Sequence, residues 1–414
     1  MNILLIQAGT TAEQNRTMGD GNMHRINMPM LGLLYIAAAT PDRHRVRVID
    51  ENNGNGQIKD FESYDIVGIS GMTMHAPRMY ELADEYRKTG SHVVLGGVHV
   101  SFMVEEALQH CDTVMVKEGE SIWRQFLKDF EEGRPRQVYV SDNSLELSEL
   151  PLPDRSLVEG PAYWAPSGTM NSVIATRGCP NHCSFCCVRQ MSDHRYKVRS
   201  VADIIEEIKQ LSDDIIIFQD DNIVGNFKFA RQLFTEMKSL GRLWGAQASI
   251  NVASSPELLD LMAESGCRTL FIGFESLNPG TLKSMGKASV NHFKEYEENI
   301  KRIHDKGIRI FGSFIVGMDE DGEDIFDNIY EFCEKNRFDF PIANCLTPFP
   351  GTELYDRLEA ENRIIDKDWS RYDLTNVVIK PKNMTPEKLQ FQYNTLVHYL
   401  NRMTYSHMKT LKRR

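Results

Sequence analysis

The sequence predicts an α/β protein: a doubly wound (Rossmann- or flavodoxin-like) parallel sheet, then a partial TIM-type barrel of six β/α units, then a small helical C-terminal region. Three observations carry this. Short apolar or β-branched runs alternate with helical patterns over residues 1–140. The alternation resumes after residue 171 at barrel spacing. Between the two runs, Leu150-Pro151-Leu152-Pro153-Asp154 is Pro-rich and non-periodic, as an extended connection would be. The expected organisation is a sheet domain at 1–140, a linker at 141–170, a barrel at 171–350 and a cap at 351–414.

Composition bounds the class. With 414 residues the chain has ample core for two to three domains. Hydrophobic residues at 41% and charged residues at 25% are ordinary for a soluble globular protein. A net charge of −11 argues against nucleic acid as a main partner. No apolar stretch approaches the ~20 residues of a membrane span. The opening Met-Asn-Ile-Leu-Leu-Ile-Gln lacks a basic start or a cleavage site, so no signal peptide is expected. The eight cysteines are then expected in a reducing cytoplasm, where disulfides are rare.

In the first domain, residues 3–6, 46–50, 66–70, 93–96 and 113–116 read as strands, and 77–88 and 102–110 as helices. Ligands of such sheets bind beyond the carboxyl ends of the strands. Gln7 and Gly9, Ser70 and Gly71, Gly96 and Gly97, and Glu118 fall at those ends. Small residues there let a large flat ligand approach the backbone.

The second run opens on Asn171-Ser172-Val173-Ile174-Ala175-Thr176-Arg177-Gly178-Cys179-Pro180-Asn181-His182-Cys183-Ser184-Phe185-Cys186-Cys187. Three thiolates this close on an irregular polar loop can converge on one metal centre. Cys179, Cys183 and Cys186 would leave one iron of a 4Fe–4S cluster open to a substrate. A zinc site wants four closed ligands, and its only nearby fourth candidates, His182 and Cys187, sit in the same loop. Cys187 adjoins Cys186 and so points elsewhere; it reads as a packed thiol.

Beyond the loop, Ser200 caps a helix, and strands are expected at 215–218, 244–249, 269–274, 309–316 and 342–346, with a helix from 291 to 307 between two of them. Polar residues at strand ends are where barrel chemistry sits: Asp220 and Asp221, Gln247 and Ser249, and Glu275. For each acid the plain alternative is a helix cap or a solvated loop residue. In the cap, 353–361 reads as helix and 369–372 as a loop near the barrel mouth. Thr385-Pro386-Glu387 starts a long helix with an apolar stripe of Phe391, Leu396, Tyr399, Leu400 and Met403. Its cationic tail, 409–414, suits the helix dipole.

The cysteine loop resembles that of the radical S-adenosylmethionine superfamily. There the open iron chelates the amino and carboxylate groups of S-adenosylmethionine, and one electron releases a 5′-deoxyadenosyl radical. The resemblance implies that Phe185 lies near adenine, that Asp220, Gln247, Ser249 and Glu275 contact the cofactor, and that Gly312 and Gly317 let adenine approach the fifth strand. The first domain, with Pro29-Met30-Leu31-Gly32-Leu33-Leu34-Tyr35, resembles the cobalamin-binding domain of many such enzymes. Its usual Asp-x-His-x-x-Gly is missing, since Gln7-Ala8-Gly9-Thr10-Thr11 has no histidine, and His24, His75 and His99 lie elsewhere. A flavodoxin-like domain that only supports the barrel is the alternative.

Phe218-Gln219-Asp220-Asp221-Asn222, Trp244-Gly245-Ala246-Gln247-Ala248-Ser249, Gly273-Phe274-Glu275-Ser276 and Leu346-Thr347-Pro348-Phe349-Pro350-Gly351 resemble the subfamily of hopanoid carbon methylases and related lipid-modifying enzymes. That implies a cobalamin-dependent methyltransferase acting on an unactivated carbon of a lipid or other hydrophobic small molecule, supplied with electrons by a flavodoxin or ferredoxin. Radical cyclisation, coupling or rearrangement without methyl transfer is the runner-up. A non-catalytic iron–sulfur electron carrier is a second alternative, and the lack of a basic RNA-binding domain disfavours methylthiolation of RNA.

Overall fold

Strand β1 (Asn2–Gln7) lies at the heart of the first sheet, and its four central residues, Ile3 to Ile6, are buried. The structure is a computed structural model describing residues 1–11, 14, 29–53, 57–160, 163–165 and 168–411, with side chains omitted at 164–165 and beyond 404. His24 and the final residues of the cationic tail lie outside the described residues. The chain divides into two compact units. One comprises Met1–Ser172, Gln190–Asp193 and Asp368–Ser370; the other comprises Val173–Arg189, His194–Lys367 and Arg371–Arg414.

In the first unit β1 is followed by α1 (Gly32–Ala39), β2 (Arg45–Asp50), β3 (Ile66–Ser70), α2 (Ala76–Lys88) and β4 (His92–Gly96). Then come α3 (Val98–Phe102), α4 (Val104–Ala107), β5 (Thr113–Val116), α5 (Gly119–Glu131), β6 (Val138–Val140) and β7 (Val158–Glu159). The strands stand in the order β6-β5-β4-β3-β1-β2-β7, and every pairing is parallel. The inner order 2-1-3-4-5 is the flavodoxin type, whose topological switch point falls between β1 and β3. Ile3, Leu5, Leu34, Val48, Trp123 and Phe126 fill one face of the sheet.

Strands β8 (Trp164–Ala165) and β9 (Gly168–Val173) pair antiparallel and lead to the second sheet. Around the cysteine loop lie β10 (Thr176–Arg177), α6 (Val188–Met191) and β11 (Lys197–Val198). The β/α units follow: α7 (Val201–Gln210), β12 (Ile215–Phe218), α8 (Phe227–Met237), β13 (Leu243–Ala248), α9 (Pro256–Glu264), β14 (Cys267–Glu275), α10 (Pro279–Ser284), α11 (Tyr296–Asp305), β15 (Arg309–Val316), α12 (Ile325–Lys335) and β16 (Phe340–Cys345). The order β16-β15-β14-β13-β12-β9-β8 contains the six strands of a partial barrel, with β12 to β16 mutually parallel. Their carboxyl ends therefore share one edge. The chain ends in α13 (Glu353–Ala360) and α14 (Pro386–Leu411).

Several expectations need correction. The single helix at 102–110 is two short helices, α3 and α4, broken at Met103. Residues 141–170 are not only a connection, because β7 pairs with β2 at the sheet edge. Ser200 holds the cap position of α7 without a capping bond from its side chain. Trp369–Arg371 forms a short 3₁₀ turn, and Asp368–Ser370 belongs to the first unit, where the Trp369 indole donates to Glu106 at 2.9 Å. On α14 the buried stripe is Leu389, Tyr393, Leu396 and Leu400, while Phe391 and Tyr399 are exposed. Spacings of four, three and four keep the first set on one helix face.

Candidate cluster and cofactor site

The cysteine loop leaves β10 at the carboxyl edge of the barrel, and all three cysteines are partly exposed. Its entry is held by the acids that end β12. The Asp220 carboxylate accepts from the backbone amides of Ala175, at 3.2 Å, and Thr176, and Asp221 accepts from Gly178 at 2.8 Å. Asp220 is 3% exposed, and burial pushes its carboxyl up to about 7. Both its oxygens are thus bonded to the loop's own backbone. Ser249 is likewise turned to the loop, since its hydroxyl accepts from Asn181 at 3.1 Å and from Asn222 at 3.0 Å. Asn222 also points its amide at the Cys179 sulfur, 3.9 Å away.

The far side of the loop is seated by close backbone approach. An added Cβ at Gly286, whose φ is +74°, would lie 2.0 Å from the His182 carbonyl oxygen. Next to it, the Ser184 amide donates to Met285 at 3.1 Å, and the Leu354 amide donates to the Ser184 carbonyl at 2.9 Å. At Gly225 the missing Cβ makes room for the Tyr196 ring, 2.5 Å away, and for Pro180. Protein contacts thus fix the loop on both sides.

Glu275 closes β14 with φ +65°, an uncommon conformation for a residue with a side chain. A register shift between Gly273 and Glu275 produces it, and the carboxylate folds back to where a Gly273 Cβ would be, 2.1 Å from Oε1. There it meets the Lys287 ammonium at 3.0 Å, both side chains being nearly buried. Burial works against the Lys287 charge, but the Glu275 carboxylate and the neighbouring Cys183 and Cys186 leave its pKa above the ordinary lysine value. Asn291 supports the turn by donating to the carbonyls of Gly273 and Phe274 at 2.9 and 3.0 Å.

The remaining expected contacts divide. Gln247 is exposed on β13 and Phe185 is partly exposed in the loop. At Gly312 and Gly317 the space in the Cβ direction is occupied. The space at Gly312 is taken by Phe338, 2.2 Å from an added Cβ, and that at Gly317 by Leu389 at 2.8 Å. Lys287, Asn222 and Gly286 were not among the expected site residues. Gly286-Lys287 after a helix reads in sequence as an ordinary C-cap; only the fold brings it to the loop.

In the first unit the expected strand ends do line up. Gln7 stands opposite Ser70, and Ser70 opposite Gly96, across β1, β3 and β4. An added Cβ at Gly97, where φ is +105°, would lie 2.9 Å from the Gly71 carbonyl, so the two backbones press together. The Gly9 amide donates to Glu51 at 3.1 Å. Glu118 is buried at the cap of α5. His75 and His99 are buried within the unit, bonded through a ring nitrogen to Met72 and Tyr80 respectively.

Both donor sets fit the groups considered. Three free thiols on one loop offer three ligands and leave a fourth iron open. Burial keeps the Cys179 and Cys186 thiols above their ordinary pKa and pushes Cys183 up to about 11, so metal binding must displace their protons. A carboxylate paired with an ammonium suits the charged end of an amino-acid ligand. The glycine-lined edge of the first sheet suits a flat one.

Comparisons with known proteins agree with these fits. A B12-binding domain model matches residues 26–127, and a radical SAM superfamily model matches 173–333. The bacteriochlorophyllide d C-12(1)-methyltransferase of Chlorobaculum tepidum is 34% identical over 370 residues, covering 88% of this chain and 80% of that one. The chain belongs to the cobalamin-binding radical S-adenosylmethionine enzymes. Its cofactors are accordingly a 4Fe–4S cluster, S-adenosylmethionine and cobalamin. The hopanoid C-2 methylase of Rhodopseudomonas palustris is 28% identical, covering 82% of this chain and 66% of its own. Among solved structures, the radical S-adenosylmethionine methyltransferase TsrM from Kitasatospora setae, with cobalamin and a [4Fe-4S] cluster bound, gives a TM-score of 0.67 at 15% identity. It covers 87% of this chain and 75% of that one and shares the fold.

Proposed function

We propose that this radical S-adenosylmethionine enzyme is a cobalamin-dependent methyltransferase acting on an unactivated carbon of a large hydrophobic polycycle. The similarity to a bacteriochlorophyllide d methyltransferase over most of both chains carries this reading. A tetrapyrrole and a hopanoid, the molecules in the names of the two relatives, are both broad apolar ring systems.

When bound, the cluster and cobalamin supply the electron that opens S-adenosylmethionine and the methyl group that is transferred. The chain's own residues bind and orient. Cys179, Cys183 and Cys186 hold three irons. The Glu275–Lys287 pair receives the amino and carboxylate ends of S-adenosylmethionine, with Gln247 and Phe185 at its flanks. Asp220, Asp221, Asn222 and Ser249 fix the loop that carries the cysteines. Gln7, Gly9, Ser70, Gly71, Gly96, Gly97 and Glu118 form the edge that receives the corrin. A low-potential flavodoxin or ferredoxin delivers electrons in the cytoplasm, which suits a chain whose eight cysteines form no disulfide. Among the described residues no helix is long and apolar enough to cross a membrane.

Anaerobically reconstituted enzyme with bacteriochlorophyllide d tests the reading. Methylated product should appear with S-adenosylhomocysteine and 5′-deoxyadenosine in step. Deoxyadenosine without homocysteine would instead favour radical chemistry without methyl transfer.

A further inference from the structure

Leu374 holds a backbone conformation that a leucine side chain disfavours, with φ +69°. Such outliers persist only where the surroundings over-determine them, and they gather at functional sites. Here the determination is visible. Asp373, next to it, accepts from the amides of Thr375 at 2.8 Å and Asn376 at 3.1 Å. The same carboxylate accepts from the Thr375 hydroxyl at 2.8 Å and the Asn376 side chain at 3.0 Å. Gln390 on α14 then ties down the Thr375 carbonyl at 2.9 Å and the Val377 amide at 2.8 Å. A turn so fully bonded forces Leu374 into place.

The place is informative. The Cys345 amide donates to the Leu374 carbonyl at 2.7 Å, so the residue sits beside the last residue of β16, at the carboxyl edge of the barrel. Leu346, which follows Cys345, and Val377 and Val378 just along the chain are buried, whereas Leu374 is 36% exposed. Strain is normally relieved by glycine or asparagine. A leucine kept at a strained, half-exposed position of the barrel's active edge needs a use for its side chain.

We propose that Leu374 is a substrate-contact residue, its isobutyl group held at the barrel edge to pack against the hydrophobic substrate. This rests on the reading of a large apolar substrate given above.

Thermal melting of the holoenzyme, together with binding of bacteriochlorophyllide d followed by its absorbance, tests it in Leu374→Gly and Leu374→Asn. Relief of strain should raise Tm by about 2–4 °C in each variant. Loss of the apolar contact should weaken binding about tenfold. Ile365→Asn, which also removes an exposed aliphatic group (Ile365 is 51% exposed) but at ordinary backbone angles, should change neither. A lower Tm in both variants means that the side chain serves packing and overturns the proposal. Unchanged binding in variants of raised Tm overturns it too, while leaving the substrate class intact. If the wild type itself binds neither bacteriochlorophyllide d nor a hopanoid, the substrate reading fails and the proposal falls with it.

Discussion

Gly286 and His182 meet backbone to backbone: with φ +74° at Gly286, an added Cβ would stand 2.0 Å from the His182 carbonyl oxygen. The turn after α10 is thereby a template for the cysteine loop, and the Ser184–Met285 hydrogen bond of 3.1 Å continues the seam. Gly286→Ala should cost about 1–2 kcal/mol from the left-handed conformation alone, and it must also push His182 away. The loop would then present its thiols poorly. Iron and sulfide per chain after reconstitution should fall well below the wild-type value. Full occupancy in the variant would mean that the seam does not set the loop.

His75 carries a pH dependence of the first unit. It is 7% exposed, and burial pushes its pKa down to about 4, with the Glu51 carboxylate opposing weakly. Between pH 6.5 and 4 the unfolded chain therefore binds a proton that the folded one refuses. Stability from this group is complete above pH 6.5 and is lost as pH falls, by about 3 kcal/mol at most. Urea midpoints measured from pH 7 to pH 4 should decline in the wild type. The decline should be shallower in His75→Asn, which keeps an acceptor for the Met72 amide now bonded to the ring at 3.3 Å. Parallel declines would show that other groups carry the acid sensitivity.

On α14, substitution separates buried from exposed positions. Leu396→Ala should cost about 2–5 kcal/mol because it opens a cavity against the barrel, where Leu396 is 3% exposed. Phe391→Ala, at a position 70% exposed, should lie within about 0.5 kcal/mol of wild type. Chemical denaturation distinguishes them, and equal losses would mean that Phe391 is covered in solution.

What was legible in the sequence was whatever one local pattern decides. The strands at 66–70, 113–116, 215–218 and 309–316 match β3, β5, β12 and β15 residue for residue, because apolar or β-branched residues dominate each run. Glu275 was legible as a strand end, and it closes β14. Asp220 follows another, but its partners are the amides of residues 175 and 176, and no local rule reveals a contact across so much chain. Lys287 escaped for a similar reason. At Gly312 the space in the Cβ direction is filled by Phe338, which a strand pattern cannot show. Phe391 and Tyr399 are apolar but lie off the helical period that buries Leu389, Tyr393, Leu396 and Leu400 along α14.

Lys287 is the strongest remaining test of the cofactor site. It is the cation beside Glu275, and the two form a nearly buried pair at 3.0 Å. Lys287→Met should weaken S-adenosylmethionine binding by about 1.5–3 kcal/mol, tenfold to a hundredfold, through loss of a charged hydrogen bond. Removing one partner of a buried pair also destabilises, by about 3–5 kcal/mol, because the other charge is left alone. The double variant Glu275→Gln, Lys287→Met avoids that cost, since replacing both members is often nearly neutral. In both proteins the three cysteines are untouched, so iron content should persist. The paramagnetic resonance of the reduced cluster should then change only at about tenfold to hundredfold higher S-adenosylmethionine, whereas Lys287→Arg, which keeps the charge, should recover part of the difference. A double variant that folds, holds iron and still responds like wild type would remove the pair from the cofactor site and leave it a support for the turn that ends β14.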